Sequence, residues 1–193
     1  NRNVKDRIPY TRDEIQLLVN EALRLDDEQR RIVLILALTG ARPAEIIGLR
    51  KTDFDATNQS IHIREHSSRS VKTDPSNRVV PLLSLALEAI SKQAKEARGD
   101  YLFPSYARDE GTNADSASAT LNKWAKKHVE GKVLYCFRHA LRDQLRAVMC
   151  PESVAKEIGG WSSSHDVSVQ YGQGYPVKLK LEWLSKAYDW LEQ

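Results

Sequence analysis

Cysteine is nearly absent from this chain, long apolar runs are missing altogether, and neither acid nor base dominates. The two cysteines, Cys136 and Cys150, are too few for a disulfide framework and lack the spacing of a zinc site, which fits a reducing cytoplasm and small apolar roles for both thiols. No stretch approaches the roughly 20 apolar residues of a membrane span. The N-terminus, Asn1-Arg2-Asn3-Val4-Lys5, has neither a start methionine nor an apolar signal core, so the chain reads as a domain excised from a longer protein. Internal repeats and low-complexity tracts are also missing. What is there is an ordinary soluble composition, 41% hydrophobic and 28% charged. A domain of this length buries about 70% of its unfolded surface, so one compact domain is expected.

The formal charge is only +3, yet basic residues gather in two places: Arg64, Arg69, Lys72 and Arg78, then Lys123, Lys126, Lys127 and Lys132. Such clusters suit a polyanion, and they equally suit a solvated face. Thr11-Arg12-Asp13-Glu14 reads as a capping box, after which Ile15, Leu18, Val19, Ala22 and Leu23 fall on one helical face. A second helix runs from Asp27 to Leu38 and is stopped by Thr39-Gly40, and Pro43 starts a third. Short β-type runs follow at Ile61-His62-Ile63, Ser70-Val71-Lys72-Thr73 and Arg78-Val79-Val80-Pro81-Leu82, with turn chemistry in Asp74-Pro75-Ser76-Asn77. Helical patterns return over 84–97, 115–129, 137–149, 151–158 and 177–191, with a polar loop from Tyr106 to Asp115. The expected fold is mainly α with a small antiparallel β-sheet.

Three places can carry chemistry. Arg42 stands in Thr39-Gly40-Ala41-Arg42-Pro43-Ala44-Glu45, a tight turn entering a helix, where amides and a guanidinium can hold a phosphate; an arginine at a helix start is also a common surface residue. Arg138, in Tyr135-Cys136-Phe137-Arg138-His139, occupies the first turn of another helix and suits an anion site or a capping role, while His139 beside it reads as a satisfied core histidine. Tyr171 follows Gly159-Gly160-Trp161 by ten residues and is flanked by Gly172 and Gly174. None of these is decisive alone.

Their order is more telling. An arginine in Thr39-Gly40-Ala41-Arg42-Pro43-Ala44-Glu45, a lysine before an Arg-x-Val-Pro-Leu strand, Phe137-Arg138-His139, a Gly-Trp pair and a late tyrosine resemble the tyrosine recombinases, phage integrases in particular, from about Ile8 to Tyr188. The resemblance implies the DNA breaking-rejoining catalytic fold over 1–193, without the N-terminal DNA-binding domain such proteins usually carry. It implies Arg42 and Arg138 as the two arginines, Glu45 as the acidic helper, Lys72 as the hairpin lysine and Tyr171 as the nucleophile. Two positions depart from the commonest pattern: Tyr135 and Trp161 stand where histidines are usual, and the interval from Trp161 to Tyr171 is one residue longer. Trp161 keeps an N–H donor but excludes proton transfer there.

The implied reaction is strand cleavage and rejoining through a 3′-phosphotyrosyl intermediate, with neither metal nor other cofactor. Two forked guanidiniums stabilise the charge on the non-bridging oxygens, Lys72 protonates the leaving 5′-oxygen, Tyr135 and Trp161 donate hydrogen bonds to the phosphate, and Glu45 orients Arg42 or a neighbour, with His139 beside the site. The implied partners are double-stranded DNA and further copies in a tetramer, in the cytoplasm of a bacterial or archaeal host, with no membrane. Tyr175, on a Gly-Tyr-Pro turn, is the competing nucleophile; its interval from Arg138 is 37 residues against 33 for Tyr171. Other readings are a type IB topoisomerase, a non-catalytic DNA-binding module, and a metal-dependent nuclease using Asp53 and Asp55, which otherwise read as turn formers. The apolar Trp183, Leu184, Ala187, Tyr188, Trp190 and Leu191 suit docking on the chain's own domain or on a neighbouring subunit; under the second, removal of the residues after Tyr175 weakens assembly more than DNA binding.

Overall fold

A computed structural model describes residues 8–66, 77–161 and 174–191. The first helix, α1 (Arg12–Leu25), begins at the expected box: the Glu14 amide donates to Thr11 Oγ1 and the Thr11 amide to the Glu14 carboxylate. Its buried stripe is Ile15, Leu18, Val19 and Ala22. Helix α2 (Glu28–Thr39) differs in kind, because every residue from Arg31 to Thr39 is buried. Surrounded by α1, α4 (Ser84–Glu96), α5 (Ala114–Ala125) and α6 (Cys136–Ala147), it forms the axis of the core. A helix buried all round shows no amphipathic stripe, so in the sequence only its Asp27 N-cap and Gly40 C-cap mark it.

The short α3 (Pro43–Ile47) follows, then a 3-10 turn at Lys51–Asp53 and a three-stranded antiparallel sheet in the order β1 (Phe54–Asp55), β2 (Ser60–Ile63), β3 (Arg78–Pro81). The register pairs Ile61 with Val80 and Ile63 with Arg78, so β2 and β3 adjoin directly; the run read at Ser70–Thr73 lies outside the described residues. The turn formers around Asp55 instead supply β1, and the polar loop after Tyr106 holds a small hairpin, β4 (Ala107–Arg108) with β5 (Gly111–Thr112). Two-residue strands leave no alternation for a sequence pattern to show.

Helix α6 stops at Ala147, before Met149 turns to φ 56°, and α7 (Glu152–Gly159) ends on Gly160. Helix α8 (Val177–Ala187) packs on its own domain, against β3 and α6. Leu184 and Ala187 are fully buried, the Tyr188 hydroxyl donates to the Ala37 carbonyl (2.8 Å), and buried Lys180 donates to the Val79 carbonyl (2.8 Å). Of the two sequence readings of this segment, docking in cis describes it. Its removal would strip cover from the core. The fold class is as expected, mainly helical with small antiparallel sheets.

Candidate active site

Four helix ends and one strand meet around Arg138. Helix α6 begins just ahead of this residue, which is 3% exposed. Its Nη1 donates to the Gly40 carbonyl (3.1 Å) and its Nη2 to the Gly160 carbonyl (3.0 Å). Gly40 caps the C-terminus of α2 and Gly160 that of α7, so the negative ends of two helices face the guanidinium. Two carbonyls fix the plane of a group that has five N–H donors without exhausting it.

Both carbonyls are positioned by glycine for steric reasons. Gly40 and Gly160 have φ of 58° and 62°, in the left-handed region. A Cβ on Gly40 would lie 2.6 Å from Leu141 Cδ2, and one on Gly160 would lie 2.7 Å from Arg78 Nη1. The first glycine therefore seats α6 against the end of α2, and the second lets Arg78 pass under the end of α7.

Arg42 caps the N-terminus of α3 and is more open, its side chain 25% exposed. Glu45, one turn on, holds it twice: the carboxylate accepts from the Arg42 amide (2.8 Å) and from Arg42 Nη1 (2.8 Å). The same carboxylate accepts from Arg78 Nη1 (3.2 Å) and Nη2 (3.0 Å), while Arg78 Nε donates to the Ile158 carbonyl (3.2 Å). Burial pushes the Glu45 carboxyl up, but Arg78, by hydrogen bond and by charge, together with the Arg42 amide and guanidinium, outweighs it and holds the group at about 2. At Arg138 the balance runs the other way. Burial and the charges of Arg42 and Arg78 bring it down to about 10, against the opposing pull of Glu45 and Tyr135. Arg42 and Arg78 thus place further positive charge beside buried Arg138, which an anion bound there would offset.

Arg78 is the residue that sequence reasoning misses. Composition groups it with Arg64, Arg69 and Lys72 as a basic cluster, yet it is 7% exposed and belongs to the core. A signal exists: period-two alternation in Arg78-Val79-Val80 sets Arg78 on the same face as buried Val80. Arg64 stays partly exposed but donates its Nε to Asp53 Oδ1 (2.8 Å). Asp53 is occupied by N–H donors and Asp55 by the Asn58 amide (3.0 Å), so the two aspartates serve separate local structures.

The half-buried Trp161 ring lies 5.2 Å from Arg138 Cζ and 5.7 Å from Arg142 Cζ, two arginines one helical turn apart. A Cβ at Gly159 would come within 2.5 Å of that ring. Tyr135, 43% exposed at the N-cap of α6, sets its ring edge-on to half-buried His139, centroids 5.4 Å apart. Lys72 and Tyr171 lie outside the described residues. Tyr175 is engaged with α7: its amide donates to Glu157 Oε2 (2.9 Å) and its hydroxyl lies 2.9 Å from Ser153 Oγ.

Against this geometry, residues 10–176 match the family model described as the phage integrase family. The chain belongs to the phage integrase family. The crystal structure of XerA recombinase matches the whole chain at 18% identity and a TM-score of 0.62. Two structures of the Tn1549 transposon integrase, one with transposon right end DNA and one, R225K, with a circular intermediate DNA, match 92% and 91% of the chain at 16% identity, with TM-scores of 0.60 and 0.63. At such identities the likeness concerns the fold. The chain spans 61–66% of the length of these three structures. Comparison with curated protein sequences gave no match. For this integrase-family domain, no helix among the described residues is long and apolar enough to cross a membrane.

Proposed function

We propose that this chain is the catalytic domain of a site-specific DNA recombinase that cuts and rejoins strands through Tyr171. The observation that carries this reading is the convergence of Arg42, Arg78 and Arg138 at helix ends, three guanidiniums whose mutual repulsion an entering phosphodiester would offset. Tyr171 loses its phenolic proton to solvent as Oη attacks phosphorus, the P–O5′ bond breaks, and the 3′-phosphate stays on the enzyme as a phosphotyrosine. The new ester conserves the bond energy, so the 5′-hydroxyl of the same or another strand can reverse the reaction without a nucleotide cofactor. Arg42 and Arg138 take up charge on the non-bridging oxygens, Lys72 gives its proton to the 5′-oxygen, and Tyr135 donates from the outer edge. Trp161 contributes its N–H and holds the plane of Arg138, while Glu45 orients Arg42. Double-stranded DNA is the substrate, in the cytoplasm of a bacterial or archaeal host, and a tetramer of the longer protein exchanges strands.

A nicked duplex pool, randomised on both sides of the nick, tests the nucleophile. Cleavage next to the nick releases a short fragment, so the covalent product accumulates and is read on a denaturing gel. The wild-type chain is expected to form the adduct in the presence of EDTA, and Tyr171→Phe is expected to bind DNA yet form none. An undiminished adduct from Tyr171→Phe, or its loss in Tyr175→Phe alone, would overturn the assignment. Products that join two parental duplexes separate recombination from the supercoil relaxation of a type IB topoisomerase.

A further inference from the structure

Arg78 touches the supports of both Arg42 and Arg138 while staying buried itself. Its backbone is fixed by the β2–β3 register, which sets it opposite Ile63, and by Lys180, whose Nζ donates to the carbonyl of the next residue, Val79 (2.8 Å). Its side chain is 4% exposed and passes beneath the end of α7, where Nε donates to the Ile158 carbonyl (3.2 Å). Two residues further along, the Gly160 carbonyl accepts from Arg138 Nη2 (3.0 Å). On its other side Arg78 reaches the Glu45 carboxylate with Nη1 (3.2 Å) and Nη2 (3.0 Å), and that carboxylate also accepts from the amide and Nη1 of Arg42. One guanidinium thus braces the holder of Arg42 and a holder of Arg138 at once.

We infer that Arg78 is a positioning residue for the phosphate clamp: by sharing the Glu45 carboxylate it lets that group orient Arg42 without neutralising it, and by fixing the end of α7 it steadies Arg138. The inference rests on the reading of Arg42 and Arg138 as that clamp. A guanidinium keeps its charge when buried and grips a carboxylate at two points, so Arg78 can hold Glu45 where a lysine would touch it at one. Without Arg78, the Glu45 charge falls on Arg42, in surroundings of low dielectric where the pair is drawn tightly together. Arg42 then offers less charge to a phosphodiester, whose own charge gathers on the non-bridging oxygens as it is attacked. The end of α7 also loses its donor at Ile158, and a misplacement of about 1 Å behind a reacting group can cost on the order of 100-fold in rate. Arg78 has this effect without touching DNA.

The test uses the intact recombinase and two versions of a duplex selected from the nicked pool, cleaved at saturating protein so that DNA affinity does not enter. One keeps the scissile phosphodiester. In the other a methyl group replaces one non-bridging oxygen, which makes the linkage neutral and lessens its need for a cationic clamp. Arg78→Lys, which keeps the charge and loses the fork, is expected to slow phosphodiester cleavage about 5- to 50-fold, and Arg78→Met, which loses both, about 100-fold. On the methylphosphonate both variants are expected to stay within about threefold of the wild-type rate. Adding Glu45→Gln to Arg78→Met discharges the stranded carboxylate and is expected to raise phosphodiester cleavage about fivefold over Arg78→Met. Should Arg78→Met fail to fold, Arg78→Lys carries the comparison, because its charge stays beside Glu45. Equal slowing of both duplexes by the Arg78 variants would mark a general lesion and overturn the inference, as would no slowing, or a double variant no faster than Arg78→Met. Arg138→Ala is the reference, expected to slow the phosphodiester more than the methylphosphonate. If it discriminates and the Arg78 variants do not, the positioning role alone fails. If it slows both duplexes alike, the clamp reading fails and the inference falls with it.

Discussion

The two sides of the proposed site are built differently. Arg138, Arg78 and Glu45 are buried charged groups whose partners are helix-end carbonyls and one another, so the charge-stabilising side is continuous with the core around α2. Lys72 and Tyr171, assigned the proton donor and the nucleophile, lie outside the described residues, and the residues flanking them make local contacts of a different kind: His66 with Asp53, Asn77 with His62, Trp161 with Arg138, and Tyr175 with α7. A group that must stabilise charge gains from rigidity and exclusion of water. Substitutions among the buried charged groups should therefore mix stability with activity, while substitutions at the exposed flanking contacts should separate them.

The largest effect expected on the rigid side is from truncation after Pro176. It removes Leu184 and Tyr188, each worth about 1.5–3 kcal/mol of burial, and the bonds of Tyr188 and Lys180 to Ala37 and Val79. That loss is comparable to the whole stability of a marginal domain, about 5–15 kcal/mol. Thermal denaturation should show no cooperative transition. A truncated chain that melts like the wild type and fails only in assembly would restore the reading of α8 as an arm for a neighbouring subunit.

Next is Arg138→Lys, which keeps the charge but cannot reach both glycine carbonyls and a phosphate with one ammonium. Cleavage of the nicked duplex should fall about 10²- to 10³-fold, the range for loss of one transition-state donor. A change under about tenfold would show that the fork of Arg138 is not used in the reaction.

Glu45→Gln tests the ion pair. Breaking a buried pair costs about 3–5 kcal/mol because a charge is left uncompensated. The folded-state pKa of Glu45 lies below its unfolded value, so its contribution is fully present above about 4.5 and is lost as pH falls through about 2. A shift of this size corresponds to about 3 kcal/mol. The stability gap between wild type and variant, from denaturant titrations, should be constant from about pH 7 to about 5 and close as pH drops toward about 2. A gap that does not depend on pH would mean the carboxylate charge is not what holds the arginines.

Much of this is legible in the sequence, for reasons tied to particular residues. Caps and glycines fix helix ends by local rules, so Thr11, Asp27, Gly40 and Pro43 bound α1, α2 and α3 correctly. The order of Arg42, Phe137-Arg138-His139 and Gly160-Trp161 suffices for the family. What is not legible depends on contacts between distant segments. Arg78 looks like one more basic residue because its partner, Glu45, is 33 positions away. Asp53 looks like a turn former because His66 and Arg64 approach it only once β2 pairs with β1. The glycines read as stops, and their second use, bringing Leu141 and Arg78 close, is a property of packing.

Trp161 gives the smallest expected effect and the finest distinction between these two kinds of reading. From the sequence it is an N–H donor in place of histidine; in the structure its ring lies against Arg138 and Arg142. A hydrogen bond to a charged group contributes about 1.5–3 kcal/mol, and a cation–π contact about 0.5–2 kcal/mol. Trp161→Phe keeps a ring and removes the N–H, while Trp161→Leu removes both. If positioning of Arg138 is the main role, Trp161→Phe should stay within about threefold of the wild-type cleavage rate and Trp161→Leu should fall about 5- to 30-fold. If the N–H to phosphate dominates, both should fall alike, by about tenfold or more. Arg142→Ala separates the outcomes further, since it removes one of the two cations beside the ring. It should slow the wild-type enzyme and the Trp161→Phe variant equally only when the ring is the working part.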